Sequence, residues 1–486
     1  MKIMKRGLVL LVWIGMALPA SAQRVLTFEE AIKIALQNNV LLNTQRNNLQ
    51  LSQMQKISSL AGMGPNVTLN TSASQINGNS FNPNAGQVIN GIRDNITGSI
   101  NANMNLFSGF SRINTIKQYA NALDAQSYFV NRTSQDVMNT VSTQYLNVML
   151  DVELLKIAKE NFEALNKQLE QIKEQVVLGA RSPVDEYNQD ALTKGAELRY
   201  VLADIAVGND KALLAQTLLL DPFEEFVTER PNWDVNAIGS ETVNASALAD
   251  EAKLHRGDYL RAVKNEAAFK FSTKAAKGFM MPSLFAFGTY GSAYNYQHGV
   301  PDSVSRYTTT QSIVTDPSAA SGYSILNTTT STQGPNSEVP RPFSEQFRKN
   351  NTFKQYGVQL QIPLFNGLQN RTQYVQQKVL YENAQLNTRN LEFQIRNDVV
   401  RAARTYEGAK KAFVVTTAQL DAATLAFQFE TERFNLGVTN FVDFTNANRV
   451  LVQAQTDKAQ AEYRLVFQRI LLGYAVGTLS PDNLQK

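Results

Sequence analysis

The chain has 486 residues, no cysteine and two histidines, and 18% of its residues are charged. Without cysteine it can form no disulfide, thiolate metal site or thiol nucleophile. Its formal charge is +4, but Lys2, Lys5 and Arg6 supply much of it, so the remainder carries about +1 and gives no indication of nucleic-acid binding.

The N-terminus has the three parts of a secretory signal peptide. A basic start is followed by an apolar run from Leu8 to Leu18 and by Ala20-Ser-Ala22. This run is too short to span a bilayer, so we predict that residues 1–22 are a cleaved signal peptide. Gln23, in place of a cysteine, excludes lipoprotein acylation. No later run is apolar enough for a membrane helix, so strands would have to enter any membrane.

After Leu26-Thr-Phe-Glu-Glu30, a helix start with Thr27 as cap, a helix is predicted as far as Gly62-Met-Gly-Pro65. Two segments of period two follow, Asn66 to Ser74 and Ile96 to Leu106, and their polar positions are all Asn, Ser or Thr. Each has about ten residues, the length of a tilted membrane strand. These residues alone leave two alternatives open, a membrane barrel or a hairpin on a soluble core.

A long helix is predicted from Phe110 to Val177, because neither proline nor glycine interrupts it and apolar residues recur by threes and fours. At ~1.5 Å per residue it is a rod of roughly 100 Å, which requires partner helices of similar length. Gly179 to Pro183 is the turn, and a half-length helix then reaches about Leu220. Residues 221–246 are predicted to be an irregular connection.

The same order then returns. We predict a helix over 247–277, a strand carrying Phe285 and Phe287, a long exposed polar loop at about 297–350, a strand over 356–364 and helices over 368–435 and 441–475. Leu-Phe-x-Gly occurs at 106–109 and 364–367, and Leu-Gly at 178–179 and 436–437, each pair 258 residues apart. This common spacing predicts two structural repeats, 23–246 and 247–486.

Catalytic patterns are missing from the sequence. It contains no phosphate-binding Gly-x-x-x-x-Gly-Lys and no Gly-x-Ser-x-Gly nucleophile turn. His255 and His298 lie in separate predicted elements, and we interpret both as incidental surface residues. We therefore predict a protein that is not an enzyme and has no cofactor or metal.

Taken in order, these elements resemble the TolC family of outer-membrane efflux proteins over the whole mature chain. The matching features are Leu26 to Ala31 (Leu-Thr-x-x-Glu-Ala), the duplicated strand pair, Leu-Phe-x-Gly and long helix, the two helical turns, and the closing Val476-Gly-Thr-Leu479 with Asn483-Leu484. Each motif alone is unspecific, and their duplicated order carries the resemblance.

The resemblance implies a membrane α+β fold. Four strands per chain cannot close a barrel, so three chains would form a 12-stranded β-barrel, continued by a long α-helical coiled-coil barrel in the periplasm. The Asn, Ser, Thr and Gln faces would line a water-filled lumen, and the loop would be extracellular. Five apolar strand residues would face the outer-membrane lipid: Val67, Ile100, Val358, Leu360 and Ile362.

The implied function is a passive exit duct in the outer membrane of a Gram-negative bacterium. As a homotrimer it would serve a tripartite efflux or type I secretion system. A periplasmic adaptor and an inner-membrane pump of the RND or ABC type would open it by docking. The cargo stays open among drugs, metal ions, polysaccharide and protein.

Helical turns are the candidate aperture and adaptor-docking site. The residues concerned are Gly179, Arg181, Ser182 and Asp185 in the first turn, and Gly437, Asn440 and Asp443 in the second. Local capping explains most of them. In addition, Asp443 together with Asp185 is predicted to form an acidic ring that favours cations.

The chain departs from the family pattern at two positions of the second turn. Asn446 stands where relatives often carry a carboxylate, and Thr439 stands where the first turn has Arg181. Gly109 and Gly367 are predicted to bend the chain at the junction of barrel and tunnel.

Two alternatives come from other classes. A periplasmic coiled-coil adaptor or scaffold also combines helical hairpins with strands, but it normally has one hairpin rather than two copies. A glycan-binding or hydrolytic envelope enzyme would need an acid/base pair that the sequence does not present.

Overall fold

The computed structural model describes residues 24–82, 87–221, 223–231, 233–240, 242–298, 305–315, 317–318, 320, 323–333 and 342–481. The predicted signal peptide 1–22 lies outside the described residues, as do Asn483, Leu484 and part of the predicted loop 297–350.

Within these residues the chain is mainly helical. The helices are α1 (Phe28–Asn38), α2 (Val40–Ala61), α3 (Ser111–Val177), α4 (Pro183–Leu218), α5 (Val235–Ser240), α6 (Ala245–His255), α7 (Gly257–Gly278), α8 (Phe343–Glu345), α9 (Gln369–Asn435) and α10 (Phe441–Val476). The strands are β1 (Arg24–Leu26), β2 (Asn66–Asn82), β3 (Gln87–Ser108), β4 (Phe226–Thr228), β5 (Ser283–Gln297), β6 (Ser305–Thr315), β7 (Tyr323–Gln333) and β8 (Phe353–Gln361). A π-helical turn, Gln346–Asn350, continues α8.

Helix lengths recur along the chain. Helices α3 and α9 have 67 residues each, and α4 and α10 have 36 each. Every boundary of α9 and α10 lies 258 positions after its counterpart in α3 and α4, as 369 follows 111 and 441 follows 183. The pairs α1–α2 and α6–α7 also match, with 11 and 22 residues each.

The first helix of each half is interrupted, which the sequence interpretation missed. Asn39 separates α1 from α2 with a ψ of 122°, and Arg256 separates α6 from α7 with a ψ of 114°. The Asn39 side chain accepts the Leu42 amide at 2.9 Å, so it caps the second segment. Arg256 is held by Asp258 at the start of α7. Apolar periodicity continues through both breaks and does not reveal them.

Packing divides the chain into two compact units. The first comprises the described residues up to Met54, Ala120–Phe269 and those from Leu380 onward, and the second comprises Gln55–Tyr119 and Lys270–Val379. Each unit takes segments from both halves of the sequence. The two repeats therefore stay a prediction about the sequence, separate from the compact units.

Two buried tyrosines mark the core of the first unit. Tyr145 of α3 lies with its hydroxyl 2.9 Å from the Leu26 carbonyl oxygen and 2.6 Å from that of Glu229. Tyr406 of α9 donates to the Ile238 carbonyl at 2.6 Å. Strand β1 pairs in parallel with β4, inside the region predicted to be irregular. Three-residue strands of this kind carry no usable periodicity, so only tertiary packing defines them.

The second unit contains a four-stranded antiparallel sheet in the order β2-β3-β5-β8. Opposed residues lie on one face of a sheet, so the register sorts the side chains. One row is Val67, Ala102, Gly288 and Tyr356, and the next row is Thr68, Asn101, Thr289 and Gln355.

The sheet accordingly has two unlike faces. The apolar face carries Val67, Leu69, Ala73, Ile96, Ile100, Ala102, Met104, Leu284, Ala286, Tyr290, Tyr294, Tyr296, Tyr356, Val358 and Leu360. The polar face carries Asn, Ser, Thr and Gln residues together with Phe285, Phe287 and Phe353. Val67, Ile100, Val358 and Leu360, which the resemblance implied would face lipid, share the apolar face of the sheet, whereas Ile362 lies beyond the end of β8.

Much of the described part of the predicted loop 297–350 forms strands and helical turns, so its interpretation as loop was wrong there. Strands β6 and β7 form an antiparallel hairpin, and α8 with its π-helical turn follows. A polar composition suggested a loop, but many of the polar residues are threonine, whose branched side chain suits strands.

The π-helical turn covers part of one strand. Pairing of β8 with β5 ends at Gly291. Beyond it, the Asn351 side chain donates to the Ala293 carbonyl at 2.7 Å, and the Asn295 amide donates to Gln346 at 3.2 Å. These contacts satisfy polar groups of a strand edge that would otherwise lack partners.

Candidate functional site

The first helical turn, between α3 and α4, is built by two caps. Gly179 has a φ of +73°, and the amides of Gly179 and Ala180 donate to the carbonyls of Val176 and Gln175, at 3.0 and 2.8 Å. This is a Schellman cap, which favours glycine at the left-handed position. Ser182 then caps α4 by accepting the Val184 amide at 3.2 Å, with Pro183 at the first helical position.

The second turn, between α9 and α10, repeats this geometry. Gly437 has a φ of +70°, and the amides of Gly437 and Val438 donate to the carbonyls of Phe434 and Arg433, at 3.1 and 2.9 Å. Asn440 accepts the Asp443 amide at 2.8 Å and so caps α10. The capping roles expected for Ser182 and Asn440 are thus present in the structure.

An aromatic cluster and one arginine join the two turns. The guanidinium of Arg181 lies over the Phe434 ring, 4.2 Å from its centroid. Phe434 in turn contacts Phe444 and Phe441, with ring centroids 4.8 and 6.3 Å away. Phe427 completes what we call the aromatic cluster, 5.6 Å from Phe444. Phe434 and Phe444 are buried, so the aromatic cluster is part of the packed interior between the two turns.

A polar contact also joins the two hairpins. Asn448 of α10 donates to the Asn161 side chain of α3 at 3.2 Å. The sequence interpretation noted that Phe441 and Phe444 make the second turn more apolar, but it missed Phe427 and Phe434. Their spacing of seven within α9 was the available signal.

Exposed apolar side chains surround both turns. Val177, Leu178 and Leu436 are 86%, 80% and 79% exposed, and Val184, Tyr187, Val438 and Val442 are exposed nearby. Exposed apolar side chains grouped around a turn in this way commonly mark a protein contact. An open groove of about 370 Å³ lies beside it, lined by Glu170, Lys173, Glu174, Val177 and Leu178.

Charged groups are distributed unevenly around the turns. Asp443 is exposed, and its carboxylate lies 3.4 Å from the Thr439 hydroxyl, which donates to it. Asp185 is half-buried in the first turn of α4. In the groove, a hydrogen bond from Lys173 to Glu170 at 3.0 Å raises the pKa of the lysine. Asn446 accepts a hydrogen bond from Arg449 at 2.7 Å.

The described part of the chain holds no group of three or more His, Asp or Glu side chains arranged to bind a metal. His298 lies in the second unit, 2.8 Å from the carboxylate of Asp94, and His255 ends α6 in the first unit. None of the helices that are described is long and apolar enough to cross a membrane.

The predicted bends occur at two-residue left-handed segments. Gly109 and Phe110 have φ values of +59° and +64°, and Gly367 and Leu368 both have +63°. A side chain at Gly109 would overlap the Gly278 carbonyl oxygen and lie 2.6 Å from Cβ of Met281, whereas nothing lies within 4 Å at Gly367. The two glycines share a conformation but not a packing constraint.

Gly109→Ala is therefore expected to destabilise the protein more than Gly367→Ala. In both variants the new alanine must adopt a left-handed backbone conformation, which costs about 1–2 kcal/mol of stability. Only Gly109→Ala adds a steric overlap to this cost. Denaturant unfolding of the two variants measures the difference. Gly195→Ala is the control, because it lies in α4 with open space around it and is expected to stabilise slightly. An equal loss of unfolding free energy in the two variants would show that the contacts around Gly109 add no constraint.

Comparisons with known proteins agree with this architecture. The outer membrane efflux protein family matches residues 31–218 and 322–478. Outer membrane protein TolC of Vibrio cholerae is 22% identical over 395 residues, covering 80% of this chain and 78% of the relative.

Solved structures match the fold over nearly the whole chain. The outer membrane protein VceC of Vibrio cholerae has a TM-score of 0.72 at 14% identity, covering 93% of this chain and 96% of that one. The CmeC outer membrane channel of Campylobacter jejuni has a TM-score of 0.73 at 13% identity, covering 94% and 88%. CusC also has a TM-score of 0.73, at 14% identity, covering 93% and 92%.

Proposed function

This chain belongs to the outer membrane efflux protein family, and on that premise we propose that three copies form a passive exit duct. Members of the family are outer-membrane channels that extend into the periplasm, and they are not enzymes. For this chain we further propose that the three copies form a 12-stranded barrel. We also propose that an adaptor and an inner-membrane pump of the RND or ABC type open the duct.

The two-faced sheet is the observation that carries the proposal. Its edge strands are β2 and β8, and four strands are too few to close a barrel. The apolar face carries Tyr290, Tyr294, Tyr296 and Tyr356 among aliphatic residues, as expected for a lipid-facing surface with interfacial aromatics. The polar face suits a water-filled lumen. Three sheets joined edge to edge would satisfy the open edges and place each face in its matching solvent.

Oligomeric state tests this proposal. We expect the protein to fractionate with the outer membrane and to run as a trimer in SDS that dissociates on heating. Purified protein should conduct ions in planar bilayers. A soluble periplasmic monomer would instead support an adaptor or scaffold and would overturn the duct.

The two helical turns are proposed as the site where the adaptor docks. The exposed apolar residues around Leu178 and Leu436 and the adjacent groove suit the end of a helical hairpin presenting apolar side chains. We propose that the cation–π contact between Arg181 and Phe434 acts as a latch that holds the two hairpins together before opening. The recurring helix lengths support descent from a duplicated unit, with one docking turn contributed by each half.

Asp443→Ala is expected to reduce the preference of the channel for cations. Three copies of the exposed carboxylate at the periplasmic aperture would attract cations by charge, and removing them should lower the cation-to-anion permeability ratio about twofold. Reversal potentials in a salt gradient measure this ratio. Asp457→Ala, which removes a carboxylate from α10 far from the turn, is the control. An unchanged ratio in Asp443→Ala would refute the acidic ring.

A further inference from the structure

The polar face of the sheet is almost uncharged. Among the described residues of β2, β3, β5 and β8, it carries one charged side chain, Arg93. The other two charged residues of these strands' paired segments, Asp94 and Lys354, lie on the apolar face. A single cation on a neutral polar surface dominates the local potential.

The structure holds Arg93 in place without neutralising it. Its guanidinium donates to the Phe81 carbonyl of β2 at 3.1 Å and to the Asn295 side chain of β5 at 3.0 Å. Both acceptors are neutral, and no carboxylate pairs with Arg93 among the described residues. The neighbouring Asp94 points to the opposite face, where it accepts from Gln75 and lies 2.8 Å from His298. Arginine has five N–H donors, so several stay available to a ligand.

The position of Arg93 along β3 places it at one end of the sheet. It pairs with Gln297, the last residue of β5, and it lies fifteen residues before Ser108, where the strand ends next to α3. At ~3.4 Å per residue this is roughly 50 Å along the strand, or about 40 Å along the axis of a barrel tilted by ~40°. That exceeds the ~30 Å hydrocarbon thickness of a bilayer, so Arg93 would lie at the outer mouth.

We propose that Arg93 is the charge-selecting residue of the outer mouth, where three copies form a cationic ring that favours anionic cargo. This inference rests on the proposed trimeric duct, because it needs the polar face to line the lumen. Rings of arginine or lysine select for anions in other pores. Carboxylate-bearing or other anionic organic molecules are the class of cargo that such a ring would assist.

Because the chain contains no cysteine, a thiol reagent modifies only a cysteine that is introduced by mutation. Arg93→Cys is reconstituted in planar bilayers, and its anion-to-cation permeability ratio is measured before and after a cationic or an anionic methanethiosulfonate reagent. We expect the substitution to lower the ratio about twofold, as estimated for loss of a charge within a Debye length. The cationic reagent should restore the ratio, and the anionic reagent should lower it further.

Lys354→Cys is the matched control, because it removes the same charge from the opposite face of the same sheet. It should leave the ratio unchanged with or without reagent. Arg93→Lys and Arg93→Gln provide a second pair, in which lysine should retain the preference and glutamine should lose it. A conducting Arg93→Cys channel with the wild-type ratio, insensitive to both reagents, would overturn this proposal alone. A wild-type protein without conductance would overturn the proposed duct itself.

Discussion

Replacing Phe434 with alanine is expected to cost about 3–5 kcal/mol of folding stability, as for other buried aromatic residues, and to separate the two helical turns. Phe434 is 5% exposed. Its ring is the centre of the aromatic cluster and also the surface on which Arg181 lies. Alanine removes all of these contacts at once, and the cavity it leaves lies between α9, α10 and the first turn.

Two measurements check this expectation. Thermal unfolding should shift to lower temperature, and channels in planar bilayers should open more often, because the proposed latch at the aperture is lost. Phe429→Ala makes the same change in the same helix at a side chain that is 63% exposed, and it should cost much less.

Arg181→Met distinguishes the contribution of the positive charge from that of apolar packing on Phe434. It retains an apolar stem on Phe434 but removes the cation–π attraction, so about 0.5–1 kcal/mol should be lost. The fold should persist while channel opening still increases. Wild-type opening in Arg181→Met, or equal effects of Phe434→Ala and Phe429→Ala, would contradict the latch.

Arg256→Met is expected to cost about 3–5 kcal/mol because it removes a buried cation and leaves two half-buried carboxylates without their partner. Arg256 is 5% exposed at the break between α6 and α7. It pairs with Asp258 at 2.6 Å and with Asp398 of α9 at 3.2 Å, and its guanidinium lies 3.5 Å from the Ala475 carbonyl of α10. One side chain thus joins three parts of the first unit.

The pH dependence of this variant follows from Asp258. Burial favours a higher pKa for its carboxyl, but hydrogen bonds and charge from Arg256 outweigh burial and hold the pKa below its ordinary value. Without Arg256, burial is opposed mainly by Arg132, so the folded-state pKa of Asp258 should rise. An acid whose folded pKa is raised destabilises the fold above its unfolded pKa, and protonation removes that penalty.

The gap in stability between wild type and Arg256→Met should therefore be largest near neutral pH and narrow as the pH falls through the raised pKa. Urea unfolding at several pH values measures it. Arg396→Met is the control, since its pair with Asp250 is 3.8 Å long and both partners are more than half exposed. Adding Asp258→Asn to Arg256→Met should recover part of the loss. A gap independent of pH would refute the role assigned to Asp258.

Most of the correct predictions from the sequence rest on features that act within a few residues, such as helix caps and alternation of polar and apolar side chains. The ends of α3, α4, α9 and α10 were located to within one or two residues because Ser182, Pro183 and Asn440 act through hydrogen bonds or backbone geometry nearby in the chain. Thr27 was identified for the same reason, and it accepts the Glu30 amide at 3.2 Å. Alternation of polar and apolar residues likewise predicted the strands, although β2 and β3 continue well beyond the predicted segments.

The amino-acid sequence by itself determined the order of elements, the two unlike faces of the strands and the position of both helical turns, since caps and periodicity act over a few residues. Only the tertiary structure decided that Arg181 lies on Phe434, residues 253 positions apart, and that Arg93 is the lone charge on the polar face among the residues that the structure describes. It also decided the breaks at Asn39 and Arg256 and the pairing of β1 with β4. Those features depend on register and on contacts between distant segments, for which a single sequence contains no local signal.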